Sequence, residues 1–170
     1  EESAAGEALA EQVLASIDYL ECPLAVGIGS VDLTSPTAAE KLRKSYEQAQ
    51  EAVQISTLLG EVGAIAFDKL GILHWLYHLS YEHRENNIYL RYVRALAAHD
   101  NKRNTELLRT LEAYLQYGYS VADAAKALYI HRNTLLNRIK SLESICELSL
   151  RDAVHFSNFD VAIKCYRLHG

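Results

Sequence analysis

The chain has 170 residues, 49% hydrophobic and 23% charged, with only two prolines. This is a folded composition, long enough for one domain or two small ones, and it excludes a disordered tract. A net charge of −5 speaks against a nucleic-acid partner if the charge is spread evenly. No apolar run reaches the roughly 18 residues needed to span a membrane, and the acidic, alanine-rich start lacks the features of a secretory signal.

The charge is not spread evenly. Residues 1–100 carry 7 basic and 15 acidic side chains, a net of −8, whereas residues 101–170 carry 10 basic and 7 acidic ones, a net of +3. Between Asp123 and Glu143 there is no acid, and Lys126, Arg132, Arg138 and Lys140 lie in that interval. Local rather than total charge decides whether a surface attracts phosphate, although a short basic run can also be a solvated face. Cys22, Cys146 and Cys165 have no metal-ligand spacing, and they fit reduced packing residues of a cytoplasmic protein. The sequence contains no methionine, so a longer protein with further domains upstream is expected.

In chain order, residues 4–19 predict a helix with Leu9, Val13, Leu14 and Ile17 on its apolar positions. Pro23–Ser30 is a short apolar run bounded by Pro and Gly, which suits a buried strand. Ser35-Pro36 is placed to open a long helix that stops at Gly60. Gly63–Phe67 is a second strand candidate, and the helix between the two strands points to an α/β or α+β unit. Helices are expected over 71–79 and 84–98, the second with Ile88, Tyr92, Ala95 and Leu96 on one face. The polar stretch His99–Asn104 is the natural place for a domain boundary.

Everything beyond residue 104 reads as helix. A helix over 105–117 has Leu107, Leu108, Leu111, Tyr114 and Leu115 as its stripe, with Gly118 as its stop. Ser120 and Asp123 form a capping box that opens a short helix ending near Leu128. After Tyr129-Ile130-His131 comes a longer helix, 132–146, and a second box, Ser157 and Asp160, is placed to open a last helix.

A short helix, a tight turn and a longer basic helix make the helix-turn-helix pattern. Ala124, Ala125 and Ala127 are small enough for a close helix crossing, and Ile130 can plug the turn. Leu135, Ile139, Leu142 and Cys146 form one stripe at helical spacing. The opposite face then carries Asn133, Asn137, Lys140 and Ser144, with Thr134, Ser141 and Leu136 flanking it. Asn can bond the N6 and N7 of adenine together, and an apolar side chain can touch a thymine methyl. Asn133, Thr134, Leu136 and Asn137 are therefore the expected base contacts. Lys126, His131, Arg132, Arg138 and Lys140 are the expected phosphate contacts. His131 also falls where the cap of the helix belongs.

These residues carry a resemblance. The run Leu107–Leu115, followed by Ala124-Ala125-Lys126-Ala127-Leu128-Tyr129-Ile130-His131-Arg132-Asn133-Thr134-Leu135, resembles the C-terminal domain of PucR/CdaR-type bacterial transcription regulators, in which "HRNTL" opens the recognition helix. It is also similar to the Fis-type helix-turn-helix. Relatives often carry a basic and an aromatic residue after "HRNTL", where this chain has Leu136 and Asn137 before Arg138, so their base preference does not transfer. More weakly, Val26–Gly29 and a helix with Ser45-Tyr46 and Gln48-Ala49 resemble the GGDEF-like domain of CdaR-type proteins. The Gly-Gly-Asp/Glu-Glu-Phe string is missing, and with it the paired acids that hold metal in cyclases of that fold.

His74 and His78 are spaced i, i+4, but Trp75 stands where a zinc protease needs Glu, so a structural pair is expected. Gly27 and Gly29 are too few, in too apolar a context, for a phosphate loop. The tyrosines Tyr114, Tyr117 and Tyr119 suit packing at a domain edge.

The expected fold is mostly α. A small, degenerate GGDEF-like α/β part at 1–80, with a regulatory or dimerisation role, is followed by a helical linker at 81–103 and an all-α helix-turn-helix domain at 104–170. The expected function is sequence-specific binding of double-stranded DNA by a homodimer or higher oligomer that senses its effector through an upstream domain. No membrane association, catalytic residue, metal or cofactor is expected. Two alternatives stay open: a helical protein-interaction scaffold, and a nucleotide-cyclase-like enzyme on residues 1–80 using Asp32 and Asp68.

Overall fold

The computed structural model describes residues 2–17, 24–30, 37–150, 152 and 154–170. Cys22, Asp32 and the Ser35-Pro36 pair lie outside these residues. The chain divides into two units, residues 1–78 and 79–170.

In the first unit the expected strands form and pair. Strand β1 (Ala25–Ile28) runs parallel to β2 (Gly63–Ala66), with Ala25 opposite Gly63 and Ile28 opposite Ala66. Parallel strands need a long crossover, and helix α2 (Ala38–Leu59) supplies it. The cap of α2 is Thr37, whose Oγ1 accepts from the amide of Glu40 at 3.2 Å. The helix ends at Gly60, which takes the left-handed φ of 71° that glycine adopts without steric cost.

Helix α1 (Glu2–Ile17) packs against both strands. Its buried residue is Ala10, whereas Leu9 and Val13, expected on the apolar face, are largely exposed. Successive strand residues point to opposite faces. A Cβ built on Gly6 of α1 lies 3.0 Å from Ile28, whereas one built on Gly27 would lie 2.0 Å from the carbonyl oxygen of Ala49 in α2. The two helices therefore cover opposite faces of the pair, and Gly27 and Gly29 let α2 approach the strand backbone. Ser45, Gln48 and Ala49 all meet β1 or its end, since the Ser30 amide donates to Gln48 Oε1 at 3.0 Å. After β2, a single 3-10 turn (Phe67–Lys69) leads to the short helix α3 (Ile72–Tyr77).

The second unit starts earlier than the polar stretch at 99–104 suggests. Helix α4 (Tyr81–Glu85) is capped by Ser80, and α5 (Ile88–Arg103) by Asn87, whose Oδ1 accepts from the Leu90 amide at 3.0 Å. The segment read as one helix over 84–98 is thus broken at Asn86-Asn87, and the segment read as a linker is structural. Val93 and Leu96 of α5 are fully buried in the core of this unit. The buried face of α5 is Leu90, Val93 and Leu96, while Ile88 and Ala95 of the expected face are exposed.

Helices α6 (Leu107–Gln116), α7 (Val121–Ala127), α8 (Arg132–Cys146) and α9 (Val154–His169) complete the unit around Leu111, Leu135, Leu142 and Phe159. Arg167 on α9 makes a bidentate ion pair with Glu112 on α6, at 2.7 and 2.8 Å. Helix α9 begins three residues before the Ser157–Asp160 box, because Asp152 Oδ1 accepts from the Val154 amide at 3.0 Å. Asp160 is instead inside the helix, paired with Lys164 at i, i+4. The S-x-x-D spacing serves a helix interior as well as a cap.

Helix α6 has no side-chain cap of its own, and Asp100 on α5 replaces it. The Asp100 carboxylate accepts from the amides of Leu107 and Leu108, both at 2.8 Å, and from the Thr105 hydroxyl at 2.6 Å. Replacing Asp100 with Ala leaves those amides without a carboxylate at the positive end of the helix. It is expected to cost about 1–2 kcal/mol, read as a lower urea midpoint at unchanged slope.

Candidate nucleic-acid interface

The α7–turn–α8 pair is held together by the small residues the sequence places there. Ala124 and Ala125 are buried where α7 crosses α8, and Ser120 caps α7 by accepting from the Asp123 amide at 3.3 Å. Just past the end of α6, Gly118 takes φ 57°, and the Tyr119 amide bonds back to the Tyr114 carbonyl at 2.9 Å. Tyr114 is buried edge-on against Tyr119, at 5.0 Å between ring centroids. Burial raises the Tyr119 phenol above its ordinary range.

The turn after α7 closes in the same manner. The Ile130 amide donates to Ala125 O at 3.0 Å and the Tyr129 amide to Lys126 O at 3.1 Å, which is the Schellman pattern. Tyr129 sits at the left-handed position, φ 55°, where glycine is the usual residue, and its side chain is almost wholly exposed.

Helix α8 starts at His131, whose Nδ1 accepts from the Asn133 amide at 3.2 Å. That bond requires Nδ1 to be unprotonated, so in the neutral ring the hydrogen is on Nε2, which can donate outward. The stripe Leu135, Ile139, Leu142 and Cys146 is buried in full, at 0, 8, 1 and 1% exposure. Burial pushes the Cys146 thiol up to about 11, so it is a packing residue and not a nucleophile.

Because that stripe faces inward, Asn133, Thr134, Asn137 and Lys140 face out and are exposed, and Leu136 is half-buried at the edge. Arg132, Lys126 and His131 are exposed beside them. Lys126, Arg132 and Lys140 form no ion pair among the described residues. The surface therefore combines amide and hydroxyl groups with uncompensated positive charge. Asp123, the acid on α7, is engaged in its own capping box.

Arg138 is turned elsewhere. Its guanidinium donates to Glu106 Oε2 through both terminal nitrogens at 3.2 Å and to Thr110 Oγ1 at 3.2 Å, and its side chain is 24% exposed. Arg109 and then Arg138 hold the Glu106 carboxyl below its usual range. The reason is positional: residue 138 follows the buried Leu135 by three, which places it over α6 and not on the outer face.

A short helix capped at Ser120, a four-residue turn and a longer helix with one buried stripe and one polar, basic face define a helix-turn-helix domain. Residues 107–165 match the PucR C-terminal helix-turn-helix domain. Curated relatives in Bacillus subtilis include the proline-responsive transcriptional activator PutR, 34% identical over 76% of this chain and 31% of its own length. The DNA-binding transcriptional activator AdeR is 27% identical over 64% of this chain and 26% of its own. The purine catabolism regulatory protein is 32% identical over 42% of this chain and 13% of its own. The chain thus spans about a third or less of each relative. No solved structure matches it. Among the described residues no helix is long and apolar enough to cross a membrane.

Proposed function

We propose that this chain is part of a sequence-specific transcription regulator of the PucR type and that α8 enters the DNA major groove. The observation that carries this reading is the division of α8 into a buried apolar stripe and an exposed face of Asn133, Thr134, Asn137 and Lys140. The match of residues 107–165 to a PucR-type domain supports it, as do the regulatory roles in the names of the relatives.

Asn133 and Asn137, one helical turn apart, are assigned to base edges, with Thr134 and Leu136 beside them. Lys126, Arg132, Lys140 and the outward nitrogen of His131 are assigned to phosphates. Arg138 keeps α8 seated on α6 through Glu106 and thereby positions the readers. One domain of this size offers limited contact area, so a homodimer on two half-sites one DNA turn apart is the working assembly. The first unit is the regulatory or self-association part, of degenerate GGDEF-like type. Neither a cofactor nor catalysis enters this reading.

The test is DNA binding by fluorescence anisotropy over a salt series, against a selected site and a scrambled one. Asn133→Ala with Asn137→Ala is expected to weaken binding to the selected site by roughly tenfold or more per residue and to leave the scrambled site unaffected. Arg132→Ala is expected to weaken both sites alike and to reduce the salt slope by about 1. Unchanged discrimination in the double variant overturns the base-contact assignment.

A further inference from the structure

We propose that Glu51, His74 and His78 form a binding site for a divalent transition-metal ion of the zinc class within the first unit. The three come from two helices: Glu51 from the middle of α2, His74 from α3, and His78 from the residue that ends α3. The spacing of four brings both imidazoles to one side of the turn, with ring centroids 5.1 Å apart. His74 Nδ1 lies 2.5 Å from one Glu51 oxygen and His78 Nε2 lies 3.2 Å from the other.

One ligand atom from each residue lies within 4.8 Å of the others. Bonds of about 2.1 Å in tetrahedral geometry set ligand atoms about 3.4 Å apart. His74 Nδ1 and its Glu51 oxygen lie closer than this, so an ion enters by parting that pair.

The surroundings favour a held site. Glu51 is 17% exposed, so its carboxylate sits largely out of water, whereas His78 is 58% exposed and leaves one side open for a water or a further ligand. Phe67 packs edge-on against His74 at 5.0 Å and Tyr77 against His78 at 5.2 Å. The Tyr77 hydroxyl donates to Gln54 on α2 at 3.0 Å. These rings pack against both imidazoles.

Two imidazoles and one carboxylate suit zinc, nickel, cobalt or copper better than magnesium or calcium, which take oxygen ligands. The residue after His74 is Trp75, 77% exposed, so the site lacks the glutamate that follows the first histidine in the H-E-x-x-H zinc-protease motif. His83 is not among the clustered ligand atoms.

The test uses the full chain stripped with a chelator, titrated with zinc by calorimetry and with cobalt by visible absorption. Circular dichroism checks the fold of each variant. The expected result is one equivalent of zinc per chain and the d–d bands of four-coordinate cobalt. His78→Ala and the His74→Ala, His78→Ala pair are expected to lose at least about 100-fold in affinity with an unchanged dichroism spectrum. Glu51→Gln is expected to weaken the site while keeping the fold. Zinc affinity equal in wild type and in His78→Ala, or a thiolate charge-transfer band that places cobalt on a cysteine, overturns the site. DNA anisotropy of the same samples reads the other proposal separately, since none of these residues belongs to the second unit.

Discussion

A fragment that begins at residue 104 is expected to be unfolded, whereas one that begins at Leu79 folds cooperatively. Helix α5 contributes Leu90, Val93 and Leu96, all at 2% exposure or less. It also covers Phe159, which lies edge-on to Tyr89 at 5.2 Å between centroids. Fully burying an aliphatic side chain contributes about 1.5–3 kcal/mol, so three such residues are worth about 5–9 kcal/mol. That equals the whole stability of many small domains, roughly 5–15 kcal/mol. Cutting at 104 also removes Asp100, the cap of α6. Urea unfolding followed by circular dichroism, with amide NMR dispersion, decides the matter. A sigmoidal transition and dispersed spectrum from the 104–170 fragment would show that α5 is a linker after all.

The second large effect lies in the first unit. Gly29→Val is expected to destabilise it by about 3 kcal/mol or more, and Gly27→Ala by a comparable amount. A Cβ at residue 29 would stand 1.8 Å from the Ser45 carbonyl oxygen, and one at residue 27 would stand 2.0 Å from that of Ala49. Both obstacles are helix backbone, which cannot rotate away as a side chain can, so α2 must lift off β1. Gly6→Ala is the control: its Cβ meets only the Ile28 side chain, at 3.0 Å, and alanine is better than glycine inside a helix by about 1 kcal/mol. Urea unfolding followed by the amide NMR signals of β1 and β2 reports this unit apart from the second. Equal midpoints for Gly29→Val and wild type would mean that the strand and α2 do not approach as described.

Much of this was legible because the responsible contacts are local. Gly60, Gly118 and the Ser120–Asp123 box act within a few residues of themselves, and each sits at the helix end that the sequence marks. The Leu135–Ile139–Leu142–Cys146 stripe has an unbroken helical period, so its burial follows from spacing alone. The two short apolar runs became the two strands for the same reason, being too brief and too glycine-bounded for helices.

Where several faces were possible, local pattern misled. Helix α5 has apolar residues all around its first two turns, and of the face expected from spacing, Ile88, Tyr92, Ala95 and Leu96, only Leu96 is fully buried. The packing of α5 against α4, α6, α8 and α9 selected Leu90, Val93 and Leu96 as its buried face. Ser157–Asp160 had the form of a cap, but Asp152 reached the helix start first.

The sequence by itself determined the helix-turn-helix: its stops, its caps, its buried stripe and hence which side of α8 is left for a partner. Those features depend on residues within about a dozen positions of one another. The tertiary structure decided what rests on long-range contact. It drew α5 into the helix-turn-helix unit and turned Arg138 across 32 positions to Glu106. It also set Gly27 and Gly29 against the backbone of α2 and brought Glu51 across 23 positions to His74. Such pairings leave no period or spacing in the chain, because the two partners are chosen by how helices stack and not by the sequence around either one.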